Sequence, residues 1–324
     1  MDQVINQPEF IITYNDSDVT KDFTPLLESI IFKDFLESRA AELELTFEDE
    51  QRNFMNDWYP KSTDKVSAQL GYENTALLDC GLFFVYEVVL TGSRSAGDVC
   101  SIRAASVNRN SVNKPIRTKH HKSVAIKKIA EDIASELGLT VKGETDGTYS
   151  GEQKQKDIAF MEYVARKTGK IFKIEGNDLI LYNLDSIKKA SHYIEIDLDN
   201  VIDYSFSDKS DGKYSKCTCK WYDEKKKTTY IGTATSSNDG GDAVIWQEVD
   251  SNSAAQKAAS DWLKDIAKQE LELELTVVGN VGCRAGMKLR LINAGRFSDD
   301  YYIKESEHEI SRSGGYTTKI LIAK

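Results

Sequence analysis

The chain lacks any long apolar run, any excess of basic charge and any cysteine framework. Each absence excludes something. The longest apolar stretch, ALLDCGLFFVYEVVL (76–90), carries Asp79 and Glu87, whereas a helix crossing a bilayer needs about 20 apolar residues. Net charge is −10, the wrong sign for a surface that wraps nucleic acid. The opening MDQVINQPEF is polar and acidic, so no secretion signal is expected. The five cysteines are Cys80, Cys100, Cys217, Cys219 and Cys283. An odd number without a signal points to reduced thiols. Cys217 and Cys219 share one face of a strand. No nearby His or Cys completes a zinc tetrahedron with them, so they read as small apolar side chains. No P-loop, dinucleotide fingerprint, EF-hand, HExxH or GxSxG pattern occurs.

What is present is β patterning with a helical interruption. A length of 324 residues allows two or three domains. PEFIITYN (8–15), LESIIFKDF (27–35), RAAELELTFEDE (39–50), KVSAQLGY (65–72), GLFFVYEVVL (81–90) and VCSIRAASV (99–107) read as strands separated by turns. In the third of these, Leu43, Leu45 and Phe47 face one way and Glu42, Glu44 and Thr46 the other. GLFFVYEVVL is almost continuously apolar, which predicts cover on both faces. The set suggests a barrel or sandwich over residues 1–110.

Residues 111–187 change character. SVAIKKIAEDIASELGLT (123–140) has helical periodicity, with Ser123 as the expected N-cap and Gly138 beyond the C-terminus. KDIAFMEYVARKTG (156–169) is a second amphipathic helix with Ile158, Met161, Val164 and Ala165 inward. KIFKIEGNDLILYN (170–183) is a hairpin turning at Gly176-Asn177. The polar segment 143–151 reads as a loop, as does 232–243. The basic stretch NKPIRTKHHKS (113–123), which holds His120 and His121, reads as a solvated lead-in to the first helix or as a patch for an acidic partner. Strand patterning returns over 188–324, with one helix at 251–269. The predicted class is therefore α+β, mainly β: a β domain, a small α/β insert and a second β domain.

Two groups invite a chemical reading. On IKESEHEI, Ser306 and His308 fall on the same strand face, like a nucleophile and base. A serine in mid-strand, without a sharp turn or oxyanion hole, does not make one; a structural histidine is expected. In QELELELT, Glu270, Glu272 and Glu274 alternate with Leu271, Leu273 and Leu275. Carboxylates at that spacing repel and must face water. They form either a solvated outer face or the wall of a wet acidic channel. No catalytic, cofactor-binding or metal-binding residues are assigned, and no cofactor is expected.

The stretch TVVGNVGCRAGMKLRLINAGRFSDDYYIKESEHEISRSGGYTTKILIAK (276–324) resembles the end of the phage late control protein D family, baseplate hub proteins of contractile tails and related injection machines. Gly279, Gly286, Tyr302, Ile303, His308, Ile310, Gly314, Gly315, Tyr316 and Thr318 fall on that family's pattern. The helix, loop, helix and hairpin of the insert, and the joint from helix 251–269 into ELELELTVVG, extend the resemblance over about residues 75–324. It implies two β-barrel domains, each resembling the tail-tube subunit, at 1–110 and 188–324 around the insert. It also implies a homotrimer that matches a threefold spike to a sixfold tube. Expected partners are further copies of itself, the tail-tube protein, a separate spike chain and other baseplate proteins. Nucleic acid would at most pass through the channel, and no membrane binding is expected. Assembly would occur in the cytoplasm of the producing bacterium, with the protein ending in the baseplate of a phage tail or bacteriocin particle. The alternatives are a cell-wall hydrolase and a polysaccharide-binding β module.

Overall fold

A computed structural model describes residues 7–37, 39–95, 97–107, 118–175, 178–191, 193–208, 214–236 and 240–324, with side chains 175, 184–185, 208 and 264–270 outside that description. The Gly176-Asn177 turn and residues 113–117 of the basic stretch lie outside it. By compactness the chain divides into two units. One comprises Met1–Asp203 and Leu275–Leu321; the other comprises Tyr204–Glu274 and Ile322–Lys324. Among the described residues no helix is long and apolar enough to cross a membrane.

The first unit begins with β1 (Pro8–Tyr14), β2 (Ser17–Asp18), one helical turn α1 (Thr20–Phe23), β3 (Leu27–Phe35), β4 (Glu42–Glu48), β5 (Lys65–Tyr72), β6 (Leu78–Ser93) and β7 (Gly97–Ala105). All pairings among these strands are antiparallel. Alternation decides which side is core. Leu43, Leu45 and Phe47 of β4 stand opposite Ala104, Ile102 and Cys100 of β7, and all six are buried. Phe47 stacks on Phe54, and Phe23 meets both edge-on or tilted. Among the described residues, β6 is fully buried on one face only. Phe83 and Val85 are buried, Phe84 and Tyr86 are half-buried, and Glu87 is exposed and paired with Arg103. The continuous apolar run misled because an antiparallel sheet with one wet face tolerates large half-buried side chains.

The insert has its own core. β8 (Lys119–Ala125) leads into α2 (Ile126–Leu137), followed by β9 (Thr140–Gly143), β10 (Thr148–Gln153), α3 (Asp157–Lys167), β11 (Lys170–Glu175), β12 (Asp178–Asn183) and the short α4 (Leu184–Lys188). Ile129, Ala130 and Ile133 of α2 pack with Phe160, Met161, Val164 and Ala165 of α3 and with Leu179 and Leu181 of β12. Two expectations fail here. Ser123 is not the N-cap: it sits in β8 at φ +50°, its N–H donates to Ser150 Oγ at 2.8 Å, and the helix starts at Ile126. The segment 143–151 is not simply a loop, because Thr148–Gln153 pairs with β8; its polar sequence hides a strand that satisfies β8's backbone. On α3, Met161, Val164 and Ala165 are buried as expected, Ile158 packs half-buried against the same core, and Phe160 joins them there.

Lys173 of β11 reaches Asp34 of β3 at 2.6 Å, with both side chains at most 4% exposed. Asp34 also accepts the N–H of Ala285 at 3.2 Å. This pair ties the insert to the sheet of the same unit.

After β13 (Ile194–Asp197) the chain enters the second unit with β14 (Asp203–Asp208), β15 (Tyr214–Asp223), β16 (Thr228–Thr235), β17 (Gly241–Trp246) and α5 (Asn252–Glu270). β15 is central, antiparallel to β16 and parallel to β17. Cys217 and Cys219 pack under Ala255, Ala259 and Leu263 of α5. A Cβ on Gly232 would lie 2.0 Å from the backbone nitrogen of Gln256, so only glycine lets the helix lie this close. Ser251 caps α5, accepting the Ala254 N–H at 3.2 Å. The expected loop 232–243 shrinks, since its ends belong to β16 and β17.

β18 (Leu271–Val278) follows α5 directly, and β19 (Lys288–Ile292), β20 (Asp299–Ser311) and β21 (Gly315–Ala323) complete the chain. The strand path runs β18–β21–β20–β3–β4–β7–β6–β5–β1–β2, and β13 and β19 branch from β20. Among the described residues it is an open path, not a pair of closed barrels. All five cysteines are buried and free, and burial pushes the Cys100 and Cys283 thiols up to about 12.

Replacing Lys173 by Met leaves the Asp34 carboxylate buried without its cation. Denaturant unfolding is expected to show a loss of about 3–5 kcal/mol, most of it regained in Lys173→Met/Asp34→Asn.

Candidate functional site

β20 separates two environments by simple alternation. Ser306, His308 and Ile310 point inward and are buried; Glu305, Glu307 and Glu309 point outward and are half-buried. Opposite them, β3 places Asp34, Phe32 and Ile30 inside and Lys33 and Ile31 outside.

The inner face holds His308, which is fully buried. Its Nε2 lies 2.9 Å from the Cys283 carbonyl oxygen. A carbonyl only accepts, so Nε2 carries the proton. Nδ1 then accepts from the Tyr316 hydroxyl at 2.8 Å, with the Thr318 hydroxyl at 3.2 Å. Thr318 Oγ1 in turn accepts the Asn280 N–H at 3.0 Å. Phe32 stacks on the imidazole, with centroids 6.0 Å apart. Burial drives the His308 pKa from its ordinary 6.5 down to about 4, so the ring is neutral. The same burial raises the Tyr316 phenol. With both ring nitrogens engaged, His308 has no lone pair to offer Ser306, whose buried hydroxyl makes no hydrogen bond among the described residues.

Several residues singled out in the sequence meet here. A Cβ on Gly279 would lie 2.2 Å from the Tyr316 ring, and the Gly279 N–H donates to the Tyr316 carbonyl at 2.9 Å. Gly286 sits at φ +92° and Gly315 at φ +70°, and the Gly314 N–H donates to Ser311 Oγ at 3.1 Å. These three shape the turns that deliver the strands. The Cys283 carbonyl, Asn280 and the Lys173–Asp34 pair were not singled out. A carbonyl has no sequence signature, and the pair spans two distant segments.

The outer face is acidic. Glu42 and Glu44 of β4, Glu87 of β6 and Glu305, Glu307 and Glu309 of β20 outnumber Lys33 and Arg103. Lys33 pairs with Glu307 at 2.8 Å, and Arg103 with Glu87 at 2.9 Å and Glu44 at 3.3 Å. Pairs this exposed are each worth under about 1 kcal/mol. On β18, Glu272 is exposed and Glu274 half-buried, while Leu273 and Leu275 are fully buried. Glu270 does not belong to that row. It is the last residue of α5, and its side chain lies outside the described residues. Helical propensity carries into the start of the ELELEL repeat, which alternation alone assigns wholly to the strand. Among the described residues no group of three or more His, Cys, Asp or Glu is arranged to hold a metal ion.

No family model matches the chain. A tail protein from Neisseria meningitidis MC58 has a similar structure, with a TM-score of 0.74, 12% identity, and coverage of 98% of this chain and 97% of that one. A 43 kDa tail protein of prophage MuSo2 from Shewanella oneidensis gives a TM-score of 0.74 at 15% identity, covering 97% and 98%. The fold is thus that of phage tail proteins. In sequence, the chain is 22% identical over 227 residues to a probable baseplate hub protein of Escherichia phage 186, covering 67% of this chain. The match spans 57% of the phage 186 protein's length.

The buried cluster makes stability depend on pH. Above pH 6.5 a neutral His308 costs nothing. Between pH 6.5 and about 4 the unfolded chain takes up a proton that the folded one refuses, so stability falls by about 3 kcal/mol in all. Urea titrations across that range should show this fall in the native chain and lack it in His308→Gln, whatever the carboxylates contribute to both. Gly279→Ala, which must displace the Tyr316 ring, is expected to cost about 1–3 kcal/mol in the same titration at neutral pH.

Proposed function

We propose that this chain is the structural hub of a contractile tail or tail-like injection particle: a homotrimer in which two tube-like modules per chain, at 1–110 and 188–324, let three copies match a threefold spike to a sixfold tube. The observation that carries this reading is likeness to phage tail proteins along almost the whole chain, together with sequence similarity to a hub protein. Rings of identical chains close through unlike contacts, and repeated modules double the apparent symmetry. The partners on this reading are the tube protein above, a separate spike chain below and neighbouring baseplate proteins. The protein would be assembled in the cytoplasm of the producing bacterium and would end in the baseplate.

The reading assigns no catalysis. His308 is committed on both nitrogens to holding strands together. Its family-pattern companions Gly279, Gly286, Gly314, Gly315 and Tyr316 serve backbone geometry. No cofactor is required. In the first unit Glu42, Glu44, Glu305, Glu307 and Glu309 are assigned to a channel wall, and Glu272 and Glu274 of the second unit are separate candidates for such a role. A negative wall repels nucleic acid or acidic protein cargo and keeps it from adhering in transit.

Two measurements test this. Gold-labelled antibody against the chain should mark the baseplate end of purified tails, with a mass of three copies per particle; a label along the tube or on the sheath rules the hub out. Particles carrying Glu305→Lys/Glu307→Lys/Glu309→Lys should assemble in normal number yet deliver cargo at least about tenfold less often, since reversed charge binds what the native wall repels. Failure to assemble would remove these residues from the channel.

A further inference from the structure

The three-stranded sheet of the second unit has one covered face and one open face. Cys217, Cys219, Ala243 and Ile245 lie beneath α5. The alternate residues look outward, and register sorts them into rows. Ile231, Lys220 and Trp246 form the first row across β16, β15 and β17, with Trp246 72% exposed and Ile231 49%. Thr233, Thr218 and Val244 form the second, where the two threonine hydroxyls lie 3.3 Å apart. Thr235, Lys216 and Asp242 form the third, with Lys216 and Asp242 paired at 3.3 Å. Tyr222, on β15 beyond the first row, is 50% exposed. Strand geometry puts it diagonally across from Trp246, about 7–8 Å away.

Charge selects no partner for this face. Lys216 is answered by Asp242. The turn after β15 sets Lys225, Lys226 and Lys227 beside Asp223 and Glu224, and Asp250 acts on Lys226. Such a mixture draws neither an acidic nor a basic surface. A protein partner fits poorly too. Charged side chains are depleted from the core of protein interfaces, and here Lys220 holds the centre of the apolar row. The ligand that matches is uncharged, apolar on its flat side and polar around its edge. A pyranose ring is built that way. Its weakly positive C–H groups meet the negative face of an indole. Its hydroxyls point outward from the ring, where Lys220 donates and Thr218 and Thr233 both donate and accept. A few placed polar groups on an apolar platform are what orient a small ligand. Ile231 and Val244 add branched apolar surface beside the indole, which suits the methyl group of an acetamido substituent.

We propose that the open face of β15, β16 and β17 binds an uncharged polysaccharide carrying N-acetylated hexoses, with one sugar stacked on Trp246 and a neighbouring sugar on Tyr222. Lys220 lies beside both rings and donates to the sugar stacked on Trp246. Because the ligand carries no charge, the mixed lysines and carboxylates of the rim act as hydrogen-bonding groups and not as a field. The site stands on this face alone. The hub reading neither requires it nor supplies it.

The test applies the full chain to chitin and to cellulose, which share a backbone and differ in the acetamido group. The soluble tetramer of N-acetylglucosamine is then titrated into the chain by calorimetry. The native chain should be retained on chitin more than on cellulose, and equally at low and high salt, since screening leaves an uncharged ligand unaffected. Trp246→Ala should raise the Kd for the tetramer at least about tenfold, and Lys220→Met should raise it about fivefold, both with unchanged circular dichroism. Trp246→Phe, which keeps an aromatic face, should recover most of the loss. A native chain that is not retained on chitin and gives no heat with the tetramer overturns the proposal. So does binding unchanged in Trp246→Ala, retention lost at high salt, or equal retention on cellulose. Antibody labelling of the baseplate decides the hub reading separately.

Discussion

The neutral imidazole of His308 is the constraint on which the first unit turns. It joins three separate pieces of backbone: β20, which carries it; β21, through Tyr316 and Thr318; and the bend after β18, through the Cys283 carbonyl. Ile310 and Tyr316 belong to the same apolar core as Phe32, Leu45 and Phe83. The last strands of the chain are thereby seated against its first. A buried polar group is tolerable only when satisfied, and here each ring nitrogen has a partner of the correct sense. The cluster thus specifies one arrangement of the strands as well as adding stability.

The same sheet carries opposite chemistry on its two sides. Inward positions of β20, β3 and β4 are aromatic or aliphatic, save for His308, Ser306 and Asp34. Outward positions hold glutamates laced with Lys33 and Arg103. A sheet of this kind has a dry face that holds it together and a wet face free to serve something else. The buried Lys173–Asp34 pair is the exception that places charge on the dry side, and it fixes where the helical insert meets the sheet. In the second unit the division is repeated with different material: small residues under α5, and an open face of Trp246, Ile231, Val244 and Tyr222.

Much of this can be read from the sequence, for identifiable reasons. The period-two pattern of β4 and the apolar stripe of α2 assign their inner faces correctly, because side-chain direction follows from backbone geometry alone. Gly138 at the end of α2, where φ is +71°, is equally local. The errors are local readings overruled from a distance. Ser123 looks like a cap, but β10 recruits its N–H. GLFFVYEVVL looks doubly covered, but only one of its faces is fully buried. Glu270 looks like part of a strand, but the helix before it runs one residue further.

The mainly β class and the helices of residues 126–137 and 157–167 are written in the spacing of near neighbours, so the bare chain already carries them. Folding adds the rest: which nitrogen of His308 holds its proton, that Tyr316 needs Gly279 beneath it, that Asp34 meets Lys173 and that Trp246 is left uncovered. Those are facts about residues far apart along the backbone, whose atoms come within reach of one another only once the strands have paired and packed.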